Sequence, residues 1–443
     1  MKLRQVLLIY NLLLPLALLL GLPGYLIKAI RRGGARDNFS QRFGRYDQSM
    51  LARWQQEPDG GQRVWIHAVS VGEVLVGLKV IQALLEESPD QSIVLSTTTP
   101  TGYRLAKAEC TSLVCVIYNP VDLPWVVRGA LRRIQPRHLI LVEAEVWPNL
   151  VYQARQRGVS VSLVNARLSE RSERRFRKFG ALTGPLFAML DHVCVQFERD
   201  VKRWQGLGVD LQRIEKVGSI KYDEAEQEAP AAQIAELQQV LQNWGMAASQ
   251  PVLLAGSTHA GEEALIGGVY LELKKKIPDL VYIVVPRHVE RSAAVVNDLE
   301  AIGLRADLRS GINKTEGGQE DGDGQVSCLL VDTTGELRAW YHLASLVVVG
   351  KSFLGKGGQN PVEPIMAGKP VVVGPHMENF TAVMEQLLQQ KGLRQVAEED
   401  GLPAVISALL EDRSEADLMV KRARLALGQH RGAARRTVKV ICG

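Results

Sequence analysis

A glutamate follows one of the apolar runs of the chain, in the segment Trp-Ile-His-Ala-Val-Ser-Val-Gly-Glu that ends at Glu73. The run is typical of a buried strand, and the Gly-Glu pair is typical of a turn that opens a helix. In α/β domains, the loop after a strand is where reactive groups emerge. A carboxylate there can remove a proton from a hydroxyl as a general base. The alternative is that Glu73 is only a first-turn acid stabilised by the helix dipole.

Two more carboxylates, Glu143 and Glu145, come directly after the apolar residues 138–142, in the segment Glu-Ala-Glu-Val-Trp-Pro-Asn. Residues two apart on a strand share a face, so we expect both side chains at the same edge of a sheet. Charged side chains are rarely buried at the end of an apolar run without partners. A reactive site and a structural ion pair both explain this pattern.

Two loops in the second half of the chain have the composition of anion-binding sites. The segment Gly-Ser-Thr-His-Ala-Gly-Glu, residues 256–262, follows an apolar run and opens a helix, whose free backbone amides can hold an anion. An ordinary helix cap on Ser257 or Thr258 explains the same pattern. Pro286 and Arg287 end the following apolar run, and a guanidinium suits bidentate pairing with phosphate.

A glycine-rich segment, residues 350–364, carries the most specific pattern in the chain. It contains Lys351 and Lys356 among its glycines, and Asn360 and Glu363 follow where a helix is expected to begin. Glycines allow the backbone to approach a ligand closely. A carboxylate can accept hydrogen bonds from a ribose diol. The segment therefore predicts a loop that binds a phosphate and a ribose.

These segments must be positioned by alternating strands and helices. Short β-branched runs alternate with helical stretches such as 74–87 and 123–134, which predicts parallel sheets covered by helices on both faces. An acidic connector, 224–230, separates two such series. The predicted strands are 64–69, 92–97, 113–117, 138–142, 159–164 and 192–196, then 251–255, 280–285, 327–331, 346–349, 370–373 and 393–396.

The expected fold class is therefore α/β, with two Rossmann-like doubly wound domains that face a cleft and bind ligands at the carboxyl ends of their strands. A length of 443 residues agrees with more than one domain. The predicted boundaries are 1–30 for an N-terminal membrane-anchor helix, 31–225 for the first domain and 226–443 for the second.

The anchor is predicted from residues 6–27, which carry no charge and are long enough to span a bilayer as a helix. A cleavable signal peptide is the alternative, but the run is long and lacks a small-residue cleavage site. Basic residues are denser after the run than before it, so the body of the protein is expected on the cytoplasmic side. A helix that lies in the membrane interface fits the same residues.

The net charge of +5, from 53 basic and 48 acidic residues, argues against a nucleic-acid binder that depends on bulk charge. The 5 cysteines include no C-x-x-C pair, so we expect no disulfide framework, no structural zinc site and a reducing compartment. Residues 309–325 are rich in glycine and aspartate. Asp321 and Asp323 resemble a metal-binding pair there, but a solvated linker is the expected structure.

Residues 171–179 mix arginines and phenylalanines in a predicted helix. Such a surface suits anionic lipid headgroups. A solvated basic face is the alternative.

Five motifs occur together in order and resemble those of 3-deoxy-D-manno-octulosonic acid (Kdo) transferases. They are W-I-H-A-x-S-V-G-E at 65–73, E-x-E-x-W-P-N at 143–149, G-S-I-K-Y-D at 218–223, V-P-R-H at 285–288 and G-x-N-P-x-E-P at 358–364. The likeness covers nearly the whole chain, including the N-terminal anchor. It implies an inverting GT-B glycosyltransferase that moves Kdo from CMP-Kdo to the lipid A precursor lipid IVA in lipopolysaccharide biosynthesis.

The resemblance also implies a role for individual residues. Glu73 is expected to be the general base, and Glu143 and Lys221 are expected to support the transition state. The residues expected to bind CMP are Pro286, Arg287, Gly335, Glu336, Leu337, Asn360, Pro361, Val362 and Glu363. Ser219 and Tyr222 replace an asparagine and a phenylalanine that we associate with this motif, while Lys221 and Asp223 are kept.

In such a reaction CMP leaves, so negative charge develops on its phosphate. Lys221 and Arg287 are suitable cations, and no metal or other cofactor is expected. The expected partners are CMP-Kdo, the lipid A precursor and the inner membrane, which residues 6–27 and 171–179 would contact from the cytoplasmic side.

Two other functions fit parts of the sequence. A GT-B enzyme that uses a UDP-sugar on a lipid acceptor would share the fold. A non-catalytic membrane-bound sensor of lipid or nucleotide would bind ligand without turnover, but it gives Glu73, Glu143 and Lys221 no common purpose.

Overall fold

A computed structural model describes residues 2–31, 38–56, 63–223, 229–312 and 326–443 of the chain. It divides into two compact units. The N-terminal unit comprises Met1–Asp223 and His430–Gly443, and the C-terminal unit comprises Glu224–Gln429.

Each unit contains one seven-stranded sheet in which every strand pairing is parallel. Most of these strands are buried along their whole length because helices cover both faces of such sheets. The strands are β1 Arg63–His67, β2 Ile93–Thr97, β3 Val114–Tyr118, β4 Pro136–Val142, β5 Ser160–Ala166, β6 His192–Val195, β7 Ile214–Lys216, β8 Val252–Thr258, β9 Val281–Pro286, β10 Arg305–Leu308, β11 Ser327–Leu330, β12 Leu346–Val349, β13 Val371–Val373 and β14 Arg394–Gln395.

Helices connect the strands and add the two ends of the chain. They are α1 Leu3–Arg31, α2 Gln48–Gln56, α3 Val71–Glu87, α4 Pro100–Glu109, α5 Pro124–Ile134, α6 Pro148–Arg155, α7 Glu170–Lys178, α8 Gly180–Phe187, α9 Glu198–Gln205, α10 Ala231–Asn243, α11 Glu262–Lys274, α12 Ser292–Ala301, α13 Arg309–Ile312, α14 Leu337–Leu343, α15 Val362–Met366, α16 Thr381–Gln389, α17 Leu402–Glu411, α18 Arg413–Gly428 and α19 Ala433–Cys442.

The sheet of the N-terminal unit has the order β3-β2-β1-β4-β5-β6-β7, and that of the C-terminal unit has the order β10-β11-β9-β8-β12-β13-β14. The chain therefore reverses its direction of travel across the sheet between β1 and β4, and again between β8 and β12. Ligands of doubly wound domains bind at such switch points, outside the carboxyl ends of the strands. The predicted pair of doubly wound parallel sheets is confirmed.

The predicted strands all exist, but β7 and β10 were not predicted. β7 spans three residues, and the side chains of β10 are partly exposed, so neither has the apolar run on which the prediction depended. Their place is decided by pairing with β6 and β11 at the edges of the sheets.

The end of the chain returns to the N-terminal unit. The helix α19 packs against α3, and the carboxylate of Asp223 accepts hydrogen bonds from the N–H groups of Gly432 and Ala434 at 2.7 Å each. The N–H of Ser219 donates to His430 Nδ1 at 3.0 Å. The predicted second domain, 226–443, therefore differs from the C-terminal unit by the segment from His430 onward.

The prediction that residues 309–325 form a solvated loop is wrong for Arg309, which is buried at the start of a helix. Arg309 begins the short helix α13 and is only 4% exposed. Its guanidinium pairs with Glu236 and Glu336 at 3.0 and 3.2 Å. Asp321 and Asp323, like residues 224–228 of the acidic connector, lie outside the described residues.

The predicted anchor lies within α1, which is longer at both ends than residues 6–27. Within the described chain, one stretch, Leu3–Leu20, is apolar and long enough to cross a membrane, and 11% of it is buried. The buried part lies near its start, where α1 packs on α6 and α8.

Asp223 is expected to stabilise the N-terminal unit because it caps α19 across a long sequence separation. The variant Asp223→Ala should lose about 2 kcal/mol, since it leaves two N–H groups at a helix start without their acceptor. The midpoint of urea unfolding measures this loss. Asp412→Ala is the matched control, because Asp412 caps α18 through one hydrogen bond, from the N–H of Glu415. Equal losses in the two variants would contradict the bridging role of Asp223.

Candidate functional site

Glu73 lies in the first turn of α3, directly after the carboxyl end of β1. Its carboxylate accepts a hydrogen bond from the N–H of Val69 at 2.8 Å and another from the hydroxyl of Ser70 at 2.8 Å. The N–H of Glu73 donates in return to Ser70 Oγ at 3.4 Å. This reciprocal arrangement resembles a capping box, except that the carboxylate accepts from the N–H of Val69 and not from that of the N-cap residue Ser70. The carboxylate therefore does serve the helix start, and its position is also tightly held.

Besides its place at the helix start, Glu73 has a raised pKa. Burial raises its pKa to about 7, against the lowering effect of the hydrogen bonds from Val69 and Ser70. The charges of Glu143 and Glu145 raise the pKa further. A carboxylate whose pKa lies near neutrality can take a proton and release it again, as a general base must.

Glu143 and Glu145 lie beside Glu73 at the carboxyl end of β4, but they are not on a strand. Glu143 has a φ of 64°, in the left-handed region, and its N–H donates to the carbonyl of Val164 at 2.9 Å. The prediction that the two share the face of a strand is wrong, because the chain turns at Glu143. They still interact, since burial first and then the charge of Glu143 raise the pKa of Glu145.

Lys221 is placed by the loop that follows β7. The N–H of Ile220 donates to Asn165 Oδ1 at 3.1 Å, and the Nζ of Lys79 donates to the backbone carbonyl of Asp223 at 2.9 Å. Asn165 itself has a φ of 51° at the end of β5. Hydrogen bonds from two neighbouring elements therefore hold the short turn that carries Lys221.

Arg167, which was not singled out from the sequence, belongs to the same group of charges. Removal from water lowers the pKa of Lys221, the Arg167 guanidinium lowers it further, and the charge of Glu143 raises it. The structure thus brings together the three predicted catalytic residues Glu73, Glu143 and Lys221, with Arg167 beside them. The polar Asn165 near the end of the mostly apolar β5, and Arg167 directly after it, were the available signal for this part of the site.

In the C-terminal unit, the loop after β8 is held by a buried carboxylate. The expected helix cap at Ser257 or Thr258 is wrong, because both residues belong to the end of β8 and α11 begins at Glu262. Glu262 is fully buried and accepts hydrogen bonds from the N–H groups of His259 and Phe353 at 2.9 and 3.0 Å. It also accepts from the N–H of Lys351. One carboxylate therefore joins the loop after β8 to the glycine-rich loop after β12.

The glycine-rich loop packs closely on its neighbours. A Cβ at Gly350 would lie 2.5 Å from the carbonyl oxygen of Ser257, so no other residue fits there. Gly358 has a φ of 69°, and a Cβ there would lie 2.4 Å from the Sδ of Met377. The glycines are needed for the path of the loop, in addition to any approach to a ligand.

The nucleotide candidates lie at the carboxyl ends of neighbouring strands. The side chain of Arg287 is exposed, and the backbone N–H of Arg287 donates to the carbonyl of Thr258 at 3.0 Å. Asn360 Nδ2 donates to Glu363 Oε1 at 3.1 Å, and Asn360 Oδ1 accepts from the N–H of Val362 at 3.0 Å. Glu363 is partly exposed at the start of α15, so a further hydrogen bond can reach its carboxylate.

Glu336 differs from the other candidates because its carboxylate is already occupied. It accepts from Arg309, from the hydroxyl of Thr333 at 2.8 Å and from the indole of Trp340 at 3.2 Å. A ligand at the segment Gly335, Glu336 and Leu337 would therefore meet the backbone. The φ of 83° at Gly335, with no atom within 4 Å of a Cβ built there, leaves that backbone accessible. The helix that follows, α14, packs against α15.

Two separate groups of side chains result, one in each unit. The N-terminal group combines a carboxylate whose pKa lies near neutrality with other carboxylates and two cations. The C-terminal group combines a glycine-rich loop, an exposed arginine and an Asn–Glu pair. Within the described residues, no three His, Cys, Asp or Glu side chains form a metal-binding group. The absence of a cofactor stays a prediction.

Known proteins are similar to this chain in sequence and in fold. The sequence profile of a family described as 3-deoxy-D-manno-octulosonic-acid transferase (kdotransferase) matches residues 37–224. A 3-deoxy-D-manno-octulosonic acid transferase of Haemophilus influenzae is 31% identical over 407 residues, which are 92% of this chain and 91% of that protein. A protein of the same name from Bordetella pertussis is 34% identical over 392 residues, or 85% of this chain and 86% of that protein.

Among solved structures, UDP-GlcNAc 2-epimerase from Neisseria meningitidis is similar, with a TM-score of 0.57 over 86% of this chain and 99% of that chain. Its sequence identity is 13%, so the likeness concerns the fold alone. It supports the predicted fold class, two doubly wound domains of the GT-B type.

The pKa of Glu73 predicts a pH-dependent effect on stability. Since the folded pKa of about 7 lies above the ordinary glutamate value of 4.5, the folded protein binds more protons between these values, and stability falls as pH rises through them. Glu73→Gln removes this dependence. The variant should therefore gain stability relative to the natural protein when urea unfolding is measured at pH 8 instead of pH 5.

The control for this comparison is Glu170→Gln, in the exposed first turn of α7. Its unfolding midpoint should differ from that of the natural protein by the same amount at both pH values. A pH-independent difference for Glu73→Gln would show that Glu73 is an ordinary first-turn acid.

Proposed function

Since the chain belongs to the Kdo transferase family and is a glycosyltransferase of lipopolysaccharide biosynthesis, we propose that it moves Kdo from CMP-Kdo to the lipid A precursor lipid IVA with inversion at the anomeric carbon. The observation that carries the proposal is the carboxylate of Glu73. It is held by Val69 and Ser70, and its pKa is raised by burial to about 7.

Glu73 is the proposed general base. It takes the proton of the acceptor hydroxyl while the oxygen of that hydroxyl forms a bond to the anomeric carbon of Kdo. The bond from this carbon to the phosphate oxygen breaks, and CMP leaves with the electron pair. Attack on the face opposite CMP inverts the configuration. Burial raises the pKa of Glu73, and the charge of Glu143 raises it further.

The C-terminal unit is the proposed donor site. Arg287 is suited to the phosphate of CMP-Kdo, because a guanidinium forms two parallel hydrogen bonds with phosphate oxygens. Glu363 is suited to the ribose diol, and Asn360 orients its carboxylate through the hydrogen bond at 3.1 Å. The backbone at Gly335, Glu336 and Leu337 supplies further contacts to the nucleotide.

The charge that develops on the leaving phosphate is the part of this reaction that needs cations. Arg287 and Lys221 are proposed for this role, since fixed positive groups stabilise a developing anion without reorganisation. With these residues the proposal assigns no step to a metal ion or to another cofactor.

Membrane attachment is part of the proposal because the acceptor is a membrane lipid. The cytoplasmic side is proposed because basic residues are denser after the apolar run than before it. The two predicted membrane contacts, α1 and α7, lie in the same region of the N-terminal unit, which supports membrane attachment. The apolar α1 and the basic α7 each pack on α8. No residue of α7 is buried, so its arginines are available to lipid headgroups, and the ring of Phe176 instead packs on that of Phe187 at 5.2 Å.

The variant Glu73→Gln tests the general base. It keeps the shape of the side chain, so we expect turnover to fall by at least ~10²-fold, the usual scale for removal of a general base. The affinity for CMP-Kdo should change little, because the base acts on the acceptor. Turnover of the natural protein should rise with pH through the pKa of about 7. Undiminished turnover of the glutamine variant would remove Glu73 from this role.

The variants Arg287→Ala and Glu363→Ala test the donor site. Each should weaken CMP binding by roughly 10-fold or more, the scale of a lost hydrogen bond to a charged group. Calorimetry with CMP measures the affinity. Arg413→Ala is the control, because Arg413 is exposed in the same unit near the amino ends of the strands. If both site variants bind CMP normally, the nucleotide lies elsewhere.

A further inference from the structure

We propose that the groove between α1 and the pair of helices α5 and α6 binds the phosphate of an anionic phospholipid, and that α1 lies along the membrane surface instead of crossing it. The inference rests on the membrane attachment proposed above. It concerns a site separate from the residues assigned to the donor and to the general base.

The groove has a volume of about 520 Å³ and combines cationic and apolar walls. Arg4 and the apolar Leu7 and Leu8 line it from α1, Arg128 lines it from α5, and Arg157 lies just after α6. A phospholipid presents a phosphate next to its acyl chains. The walls therefore match both parts of such a molecule.

The positive charges of Arg128 and Arg157 repel each other at this groove. Removal from water lowers the pKa of Arg157, and the charges of Arg128 and Arg132 lower it further. Arg4 and Arg128 form no ion pair with any carboxylate in the described ranges. Three arginines around one groove, two of them without a carboxylate partner there, favour a bound anion.

Apolar side chains surround the groove on the exposed surface. Leu8, Leu12 and Leu16 are exposed at intervals of four residues, so they form one stripe along α1. Trp125, at the start of α5, is 67% exposed. Exposed leucines also lie away from this stripe, at positions 13 and 18, so α1 is apolar around much of its circumference. Tryptophan is enriched at the level of lipid headgroups, so this surface fits contact with a membrane.

The start of α1 is fixed to the folded unit. Asn11 and Asn149 exchange hydrogen bonds between their side-chain amides, at 3.1 and 2.7 Å. The hydroxyl of Tyr10 hydrogen-bonds the carboxylate of Asp122. That carboxylate also accepts from the N–H groups of Asn149 and Leu150 at the start of α6. The N-terminal end of α1 is therefore on the same side of the membrane as the N-terminal unit.

The segment around Arg42, which follows α1, lies close to the residues that hold the start of α1. The N–H of Val121, next to Asp122, donates to the carbonyl of Arg42 at 2.8 Å. From Tyr10 the helix continues to Arg31, a distance of about 30 Å. Both ends of this excursion lie on one side. Arg31 and Asn38 are seven residues apart in the chain, which limits their distance to about 25 Å. A helix that crossed the hydrocarbon core, about 30 Å thick, would place Arg31 too far from Asn38, whereas a helix along the surface does not.

Binding of the full-length protein to vesicles tests the groove. The probes are vesicles of phosphatidylcholine alone and of phosphatidylcholine mixed with phosphatidylglycerol. The double variant Arg128→Gln with Arg157→Gln should bind the anionic vesicles roughly 30-fold more weakly, from about 1 kcal/mol for each basic residue at an anionic surface. Its binding to neutral vesicles should not change, since the leucine stripe is intact.

Two controls separate a site from a general effect of charge. Arg104→Gln with Arg413→Gln removes the same charge from exposed positions outside the groove and should bind as the natural protein does. Arg128→Lys with Arg157→Lys keeps the charge but loses the guanidinium forks, and it should still bind several-fold more weakly. Full binding by the lysine variant, an equal loss in the two glutamine variants, or release of the natural protein by inorganic phosphate but not by chloride at equal ionic strength would overturn the lipid site. Failure of the natural protein to bind any vesicle would instead overturn the membrane attachment.

Depth measurements test the orientation of α1. Nitroxide labels at Leu8→Cys and Leu19→Cys, in a background with Ser at Cys110 and Cys442, report their depth in the bilayer by electron paramagnetic resonance. The other three cysteines are buried. A helix along the surface should place both labels at the same shallow depth. A difference of about 16 Å, the rise over the eleven residues between them, would show a crossing helix and overturn the inference.

Discussion

The N-terminal site depends on a carboxylate that is removed from water and forms no ion pair within the part of the chain that the structure describes. Glu73 is 8% exposed and is hydrogen-bonded by Val69 and Ser70, but the desolvation of its charge outweighs these bonds and its pKa rises to about 7. The fold creates this situation, because parallel strands bring the loops after β1, β4 and β5 to one edge of the sheet. The same edge brings the negative charge of Glu143 and the positive charges of Lys221 and Arg167 into the group.

A similar local arrangement serves a different purpose in the C-terminal unit. Glu262, in the first turn of α11, is fully buried and accepts three backbone hydrogen bonds, from His259, Lys351 and Phe353. It connects two loops and leaves little acceptor capacity for a substrate. Glu73 accepts one backbone hydrogen bond and one from a hydroxyl. The number and the source of the donors therefore differ between the structural acid Glu262 and the proposed general base Glu73.

Much of the fold was accessible from local pattern, because buried parallel strands are continuous apolar runs and the motifs follow their carboxyl ends. Residues whose role depends on distant contacts were not accessible. His430 and Asp223 tie the end of the chain to the N-terminal unit, Arg309 is buried between two glutamates, and Asn11 bonds Asn149. No spacing rule connects such pairs. The roles of Glu143 and Lys221 came from resemblance to a family, and the structure adds that their charges act on neighbouring groups.

The most direct test of the account is the chemical product. The purified full-length protein would be incubated with CMP-Kdo and a tetraacyl disaccharide bisphosphate, and the product would be analysed by mass spectrometry and by nuclear magnetic resonance at the new anomeric centre. The account predicts that the acceptor gains the mass of Kdo and that the new linkage has the configuration opposite to that in CMP-Kdo. Retained configuration, transfer from a UDP-sugar instead, or binding of CMP-Kdo with no gain in acceptor mass would contradict it.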